Sequence, residues 1–146
     1  QIADYFISNH KKCGFPIDIW AICALAMHSQ GWYWVYKNEQ LIDCEFFSYR
    51  GGPMIESLML KTAYSPTACV PNEFRTGYSK VLDRETRNFL GQVYKHYFML
   101  RQDYLHATVT EIGSPWRVTR INGRRDKLID DGTIRDCYKK YLRAYV

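Results

Sequence analysis

Residues 17–37, IDIWAICALAMHSQGWYWVYK, constrain the fold more than any other part of this chain. Asp18 is placed to cap a helix, or to face its dipole as an acid in the first turn. Ile22, Leu25, Ala26 and then Ser29 follow helical steps. Trp32 to Tyr36 alone would look strand-like, but the alanines and helix formers before it favour a helix continuing to about Tyr36, with Asn38 near its end. The segment is apolar nearly all round, which predicts a central buried helix rather than a surface one. No run of about 18 apolar residues occurs, so a membrane span is not expected.

The remaining breaks and periodicities predict more helices. Residues 2–10 read as a short helix, with Gly14 and Pro16 breaking the chain after it. Residues 39–50 are open between an extended turn leading to a helix and one leading to a strand. Gly51-Gly52-Pro53 is a firm break, and Pro53 suits the first turn of a helix over 54–63. Residues 64–79, with Pro66, Pro71 and Gly77, read as a loop. Asp83 can cap a helix over 84–100, on which Phe89, Val93, Tyr97 and Leu100 form a stripe. A short helix over 102–110, a single turn over 116–121, an Asn122-Gly123 turn and a charged loop over 124–131 follow. Thr133 can cap a last helix over 134–144. The expectation is a mostly α, single compact helical domain spanning 1–146, of about six helices with little or no strand.

A chain of 146 residues can bury roughly two-thirds of its unfolded surface, so it needs no staple to fold. Its 47% hydrophobic and 16% aromatic content excludes a disordered chain. The five cysteines are irregularly spaced and contain no C-x-x-C, which argues against a zinc ribbon or redox motif and for reduced thiols in a cytoplasmic protein. No secretory signal is expected. Charge is uneven: residues 1–73 hold five lysines and arginines against seven acids, a balance of −2, so the overall +5 leaves +7 for residues 74–146. The densest cations are Arg117, Arg120, Arg124, Arg125 and Lys127, a patch that could meet an acidic protein or nucleic acid.

The common phosphate-binding, dinucleotide, zinc-protease and nucleophile-elbow motifs are absent. His28 lies in the apolar helix and reads as structural. His96 and His106 have no partnering cysteine nearby in sequence, so neither a metal nor a catalytic residue is assigned. Two segments stand out. Gln30-Gly31-Trp32 puts a glycine in mid-helix, at a cost of roughly 1 kcal/mol against alanine. That suggests close approach of another element, with Trp32 packed over the glycine. Gly113-Ser114-Pro115-Trp116 fixes an indole at a turn.

These segments resemble the Panacea domain family, whose type members are SocA-like antitoxins of bacteria and phages. His28-Ser29-Gln30-Gly31-Trp32-Tyr33 is similar to the family's A-Q-G-W helix. Leu41 to Phe46 resembles its acidic-aromatic stretch, and Tyr49 to Met54, with Gly52 and Pro53, its G-P element. Gly113-Ser114-Pro115-Trp116 with Arg120 looks like its G-S-P-W-x-x-A-R, and Asp131 to Tyr138 like its closing helix. The order holds over roughly residues 2–142. Ala24, Met27, His28 and Thr110 depart from the pattern, as in a divergent member.

The resemblance implies a non-enzymatic, mostly helical domain that neutralises a cognate toxin or other target protein by direct contact, in some members as an adaptor to a protease, with no cofactor. A phage-borne counter-defence inhibitor on the same fold and a nucleic-acid-binding regulator are the alternatives. On this reading Gln30, Gly31, Trp32, Gly52, Pro53, Gly113, Ser114, Pro115 and Trp116 are structural. The expected contacts, to a partner acidic at its surface, are Arg117, Arg120, Arg124, Arg125, Lys127 and the peripheral aromatics Tyr36, Tyr49 and Tyr64. No membrane partner is expected.

Overall fold

The computed structural model describes residues 2–10, 17–61, 82–98, 102–121 and 127–144. The expected loop over 64–79 and the Asn122-Gly123 turn lie outside the described residues, as do Tyr64, Arg124 and Arg125.

Helix α1 spans Ile2–His10 and α2 spans Ile19–Lys37. The Asp18 carboxylate accepts the Ala21 N–H at 2.7 Å, satisfying one of the donors that a helix N-terminus leaves open. At the other end Asn38 adopts the left-handed conformation (φ 54°, ψ 37°), and its N–H donates to the Trp34 carbonyl at 3.0 Å. Ile19 and every residue from Ala21 to Gly31 are buried, as the all-round apolar run predicts. Helices α4 (Arg84–Phe98), α5 (Gln102–Thr110) and α7 (Asp131–Ala144) pack around α2 together with α1. Each fully buried aliphatic side chain in such a core, Ile22, Leu90 and Ile134 among them, contributes about 1.5–3 kcal/mol relative to exposure.

The mostly helical expectation holds, with two corrections. Seven helices occur among the described residues rather than about six, because α6 (Pro115–Ile121) is longer than the single turn expected there; the expected helix over 54–63 is α3 (Glu56–Lys61). A small antiparallel sheet also forms, in the order β2-β1-β3, from β1 (Phe46–Tyr49), β2 (Gly52–Met54) and β3 (Leu128–Ile129). Strands β1 and β2 form a hairpin closed at Tyr49↔Gly52, and β3 pairs Phe46↔Ile129 and Phe47↔Leu128.

Pro53 therefore sits in a strand opposite Ser48, not in the first turn of a helix. It lies on an edge strand, where a missing N–H is tolerated. Residues 128–129, expected in a loop, are strand because the hairpin offers them a pairing edge. The last helix is capped by Asp130, whose carboxylate accepts the Thr133 N–H at 2.7 Å, rather than by Thr133. Asp83 caps α4 in the same way through Thr86 N–H at 2.7 Å. Among the described residues no helix is long and apolar enough to cross a membrane.

Candidate functional site

The unusual mid-helix glycine packs against α7. A Cβ on Gly31 would overlap Cγ, Cδ2 and Cε2 of Tyr138, so the tyrosine ring lies flat on the glycine backbone. The expected cover, Trp32, instead meets Tyr138 edge-on at 5.2 Å and 87°. Its indole N–H donates to the Tyr97 hydroxyl at 2.9 Å. Gln30, one residue before the glycine, accepts the N–H groups of Leu41 (3.2 Å) and Ile42 (2.8 Å) through Oε1. It thereby ties the chain that leaves α2 back onto the helix.

His28 belongs to the same seam. Its ring stacks on Tyr97 at 3.9 Å and 10°. Nε2 lies 2.7 Å from the Thr108 hydroxyl and Nδ1 lies 2.7 Å from the Tyr138 hydroxyl. The Thr108 hydroxyl donates to the Leu105 carbonyl at 2.6 Å. Its single proton is thus used, so Nε2–H must donate to it, and Nδ1 then accepts from Tyr138. The neutral imidazole is fully satisfied. Burial, and secondarily His96, push its pKa down to about 3. Both nitrogens are committed to protein partners, in keeping with the structural reading of this residue.

The second unusual segment docks onto the hairpin. Gly113 has φ +87°, a conformation that glycine adopts at no steric cost, and it turns the chain from α5 into α6. The Ser114 hydroxyl accepts the Arg117 N–H at 3.2 Å, and Pro115 occupies the first helical position. The buried Trp116 indole donates to the Tyr49 carbonyl at 2.6 Å. Arg120 Nη1 donates to the Ser48 carbonyl at 2.5 Å. Ser48 is completely buried. Its N–H donates to the Lys127 carbonyl at 2.8 Å, and its hydroxyl accepts the Lys127 N–H at 3.1 Å.

Two of the expected contact cations, Arg117 and Arg120, thus gather around Trp116, and the backbone of a third, Lys127, pairs with Ser48. The Arg120 and Arg117 guanidiniums lie 5.2 and 5.4 Å from the indole centroid, within cation–π range. Arg117 Nε donates to the Thr110 carbonyl at 3.1 Å. Among the described residues the hydrogen-bond partners of both arginines are neutral carbonyls, with no carboxylate paired to either. Ser48 gave no signal in the sequence. Its importance comes from strand pairing across some eighty residues, which only the fold supplies.

The hairpin tip is held from its other side by His106, which bonds the Gly51 carbonyl, and by Trp20, whose ring fills the space that a Gly51 side chain would need. Gly52 has φ +141° and sits against His106. Of the peripheral aromatics, Tyr36 is 61% exposed and stacks on Phe89 at 6.0 Å. Tyr49 is half-buried, with its hydroxyl donating to Glu56 Oε1 at 2.8 Å.

Cys23, Cys44 and Cys137 are free thiols. Cys23 is buried between Met54 Sδ at 3.9 Å and the Ile55 N–H at 3.4 Å, and burial pushes its thiol up to about 12. Burial, with Asp131, Asp43 and Glu45 adding to it, does the same to Cys44. Neither is an activated nucleophile. Among the described residues no group of three or more His, Cys, Asp or Glu side chains could hold a metal ion.

Compared with known proteins, the chain matches no family model, no curated protein and no solved structure.

Proposed function

We propose that this chain is a protein-binding module that neutralises a target protein by direct contact, in the manner of the SocA-like antitoxins that its motifs resemble. The observation that carries the reading is the cation cluster at the α6–hairpin junction. Arg117 and Arg120 are held in place by backbone carbonyls and by the Trp116 ring, and no carboxylate among the described residues pairs with them. Guanidiniums fixed in this way lose little entropy on pairing with a partner's carboxylates and offer bidentate geometry. A partner acidic at its contact surface follows.

The seam of Gln30, Gly31 and Trp32 and the docked Gly113–Trp116 turn act as the framework that positions this face. The test is co-purification of the tagged chain with the product of the neighbouring reading frame, together with a growth assay. The expected result is a stable complex, and rescue of cells in which that product is toxic. No complex and no rescue would refute the reading. A fall in partner level that depends on a cellular protease would place the module among adaptors rather than occluders.

A further inference from the structure

Seven large hydrophobic side chains are conspicuously exposed among the described residues, and three of them adjoin the cation cluster. Ile112, in the α5–α6 turn, is 87% exposed; Val118 on α6 is 39% exposed and Leu128 on β3 is 41% exposed. Recorded contacts tie these positions to the cations. Arg117 reaches back to the Thr110 carbonyl, two residues before Ile112. The Lys127 backbone, next to Leu128, and the Arg120 guanidinium both bond Ser48. On α6 Pro115, Trp116 and Thr119 are buried, while Arg117 and Val118 are exposed together.

From this interleaving of apolar and cationic groups we infer that the α5–α6 turn, the outer side of α6 and the start of β3 receive a protein segment in which acidic residues flank a large apolar side chain. The inference rests on the protein-binding reading above and specifies the chemistry of the partner. Arginine is enriched at protein interfaces, and the exposed aliphatic groups beside it gain by burial against an apolar side chain. A nucleic-acid backbone offers phosphates to the arginines but nothing to bury Ile112, Val118 or Leu128. Glu111 beside Ile112 and Asp130 beyond Ile129 are exposed acids that would repel a continuous polyanion. They leave room for a segment with a few carboxylates placed opposite Arg117 and Arg120. One N–H of each arginine goes to a backbone carbonyl, and the guanidinium carries five. Donors therefore remain for a carboxylate on each.

The experiment is selection of a displayed random-peptide library on the immobilised full chain, followed by anisotropy measurements with the enriched peptides. The variants are Arg117→Glu and Val118→Ser, whose outward side chains leave the fold intact, as a thermal melt would verify. A labelled DNA duplex is the second probe. The expected result is enrichment of peptides with Asp or Glu around Leu, Ile or Phe, and binding weakened about tenfold or more by either variant. Failure to enrich any peptide, enrichment of neutral or basic peptides, or affinity unchanged in both variants would overturn the inference. So would duplex binding that Arg117→Glu abolishes in place of peptide binding. If the peptides fail while the neighbouring product still co-purifies, the module binds its partner through another face; if co-purification also fails, the protein-binding reading falls with it.

Discussion

Replacing Gly31 with alanine tests the central packing contact, because two opposing effects give it a definite sign. In an exposed helix the change would stabilise the protein by about 1 kcal/mol through propensity. Here the new methyl group would overlap three ring atoms of Tyr138. The ring has nowhere to retreat, being 1% exposed, edge-packed with Trp32 and Tyr141 and bonded to His28. Overpacking of this kind costs about 1–3 kcal/mol. Displacing Tyr138 from His28 would strand a buried acceptor, at a further cost of about 1–3 kcal/mol.

The net expectation is a loss of roughly 3 kcal/mol, a large share of the ~5–15 kcal/mol that holds a typical domain together. At this chain length that loss lowers Tm by about 10 °C. The assay is denaturant and thermal unfolding followed by circular dichroism, in the parent and in a Tyr138→Ala background. With the ring gone, Gly31→Ala should become neutral or stabilising by up to ~1 kcal/mol, so the double-mutant cycle has a large coupling. If Gly31→Ala in the parent background is as stable as the parent or more so, the reasoning is refuted.

Two further outcomes follow from the same seam and from the hairpin junction. His28 has its pKa lowered from 6.5 unfolded to about 3 folded, so the unfolded chain binds the extra proton between those values. Its contribution to stability is complete above pH 6.5 and declines as pH falls towards 3, by about 1.4 kcal/mol per pH unit within that window. A His28→Asn variant should show a correspondingly flatter stability–pH profile, and an unchanged slope would contradict the buried neutral imidazole. Arg120→Ala should lower stability by about 1–2 kcal/mol, because it removes a bond to the carbonyl of buried Ser48 and uncovers Trp116. Arg117→Ala should cost under ~1 kcal/mol, as its side chain is exposed. Equal unfolding midpoints for the two variants would argue against the larger structural share assigned to Arg120.

Much of the helical frame was legible in the sequence because it depends on neighbours. The Asp18 cap, the Asn38 terminus and the all-round apolar character of α2 are properties of residues within a few positions of one another, and each is found in the structure. Asp83 capping α4 is of the same kind. The Gly31 anomaly correctly signalled a close approach but not its source. Trp32 is the sequence neighbour, yet Tyr138, more than a hundred residues away, lies on the glycine. The misplacement of Pro53 has a similar origin. Proline fits both a helix start and an edge strand, and only pairing with Ser48 selects the strand.

The sequence by itself determined the buried axis, the helix ends with local caps, and the location of the cations in the second half of the chain. These follow from periodicity, side-chain capping and composition, all of which act over short range. The tertiary structure decided what each arginine of the cluster touches. It placed Arg120 on the Ser48 carbonyl and Arg117 on the Thr110 carbonyl, beside exposed Val118. It also decided the sheet, since β3 acquires strand geometry only from the hydrogen bonds offered by β1. Such long-range pairings depend on the folded arrangement of the whole core, which no local window of residues encodes.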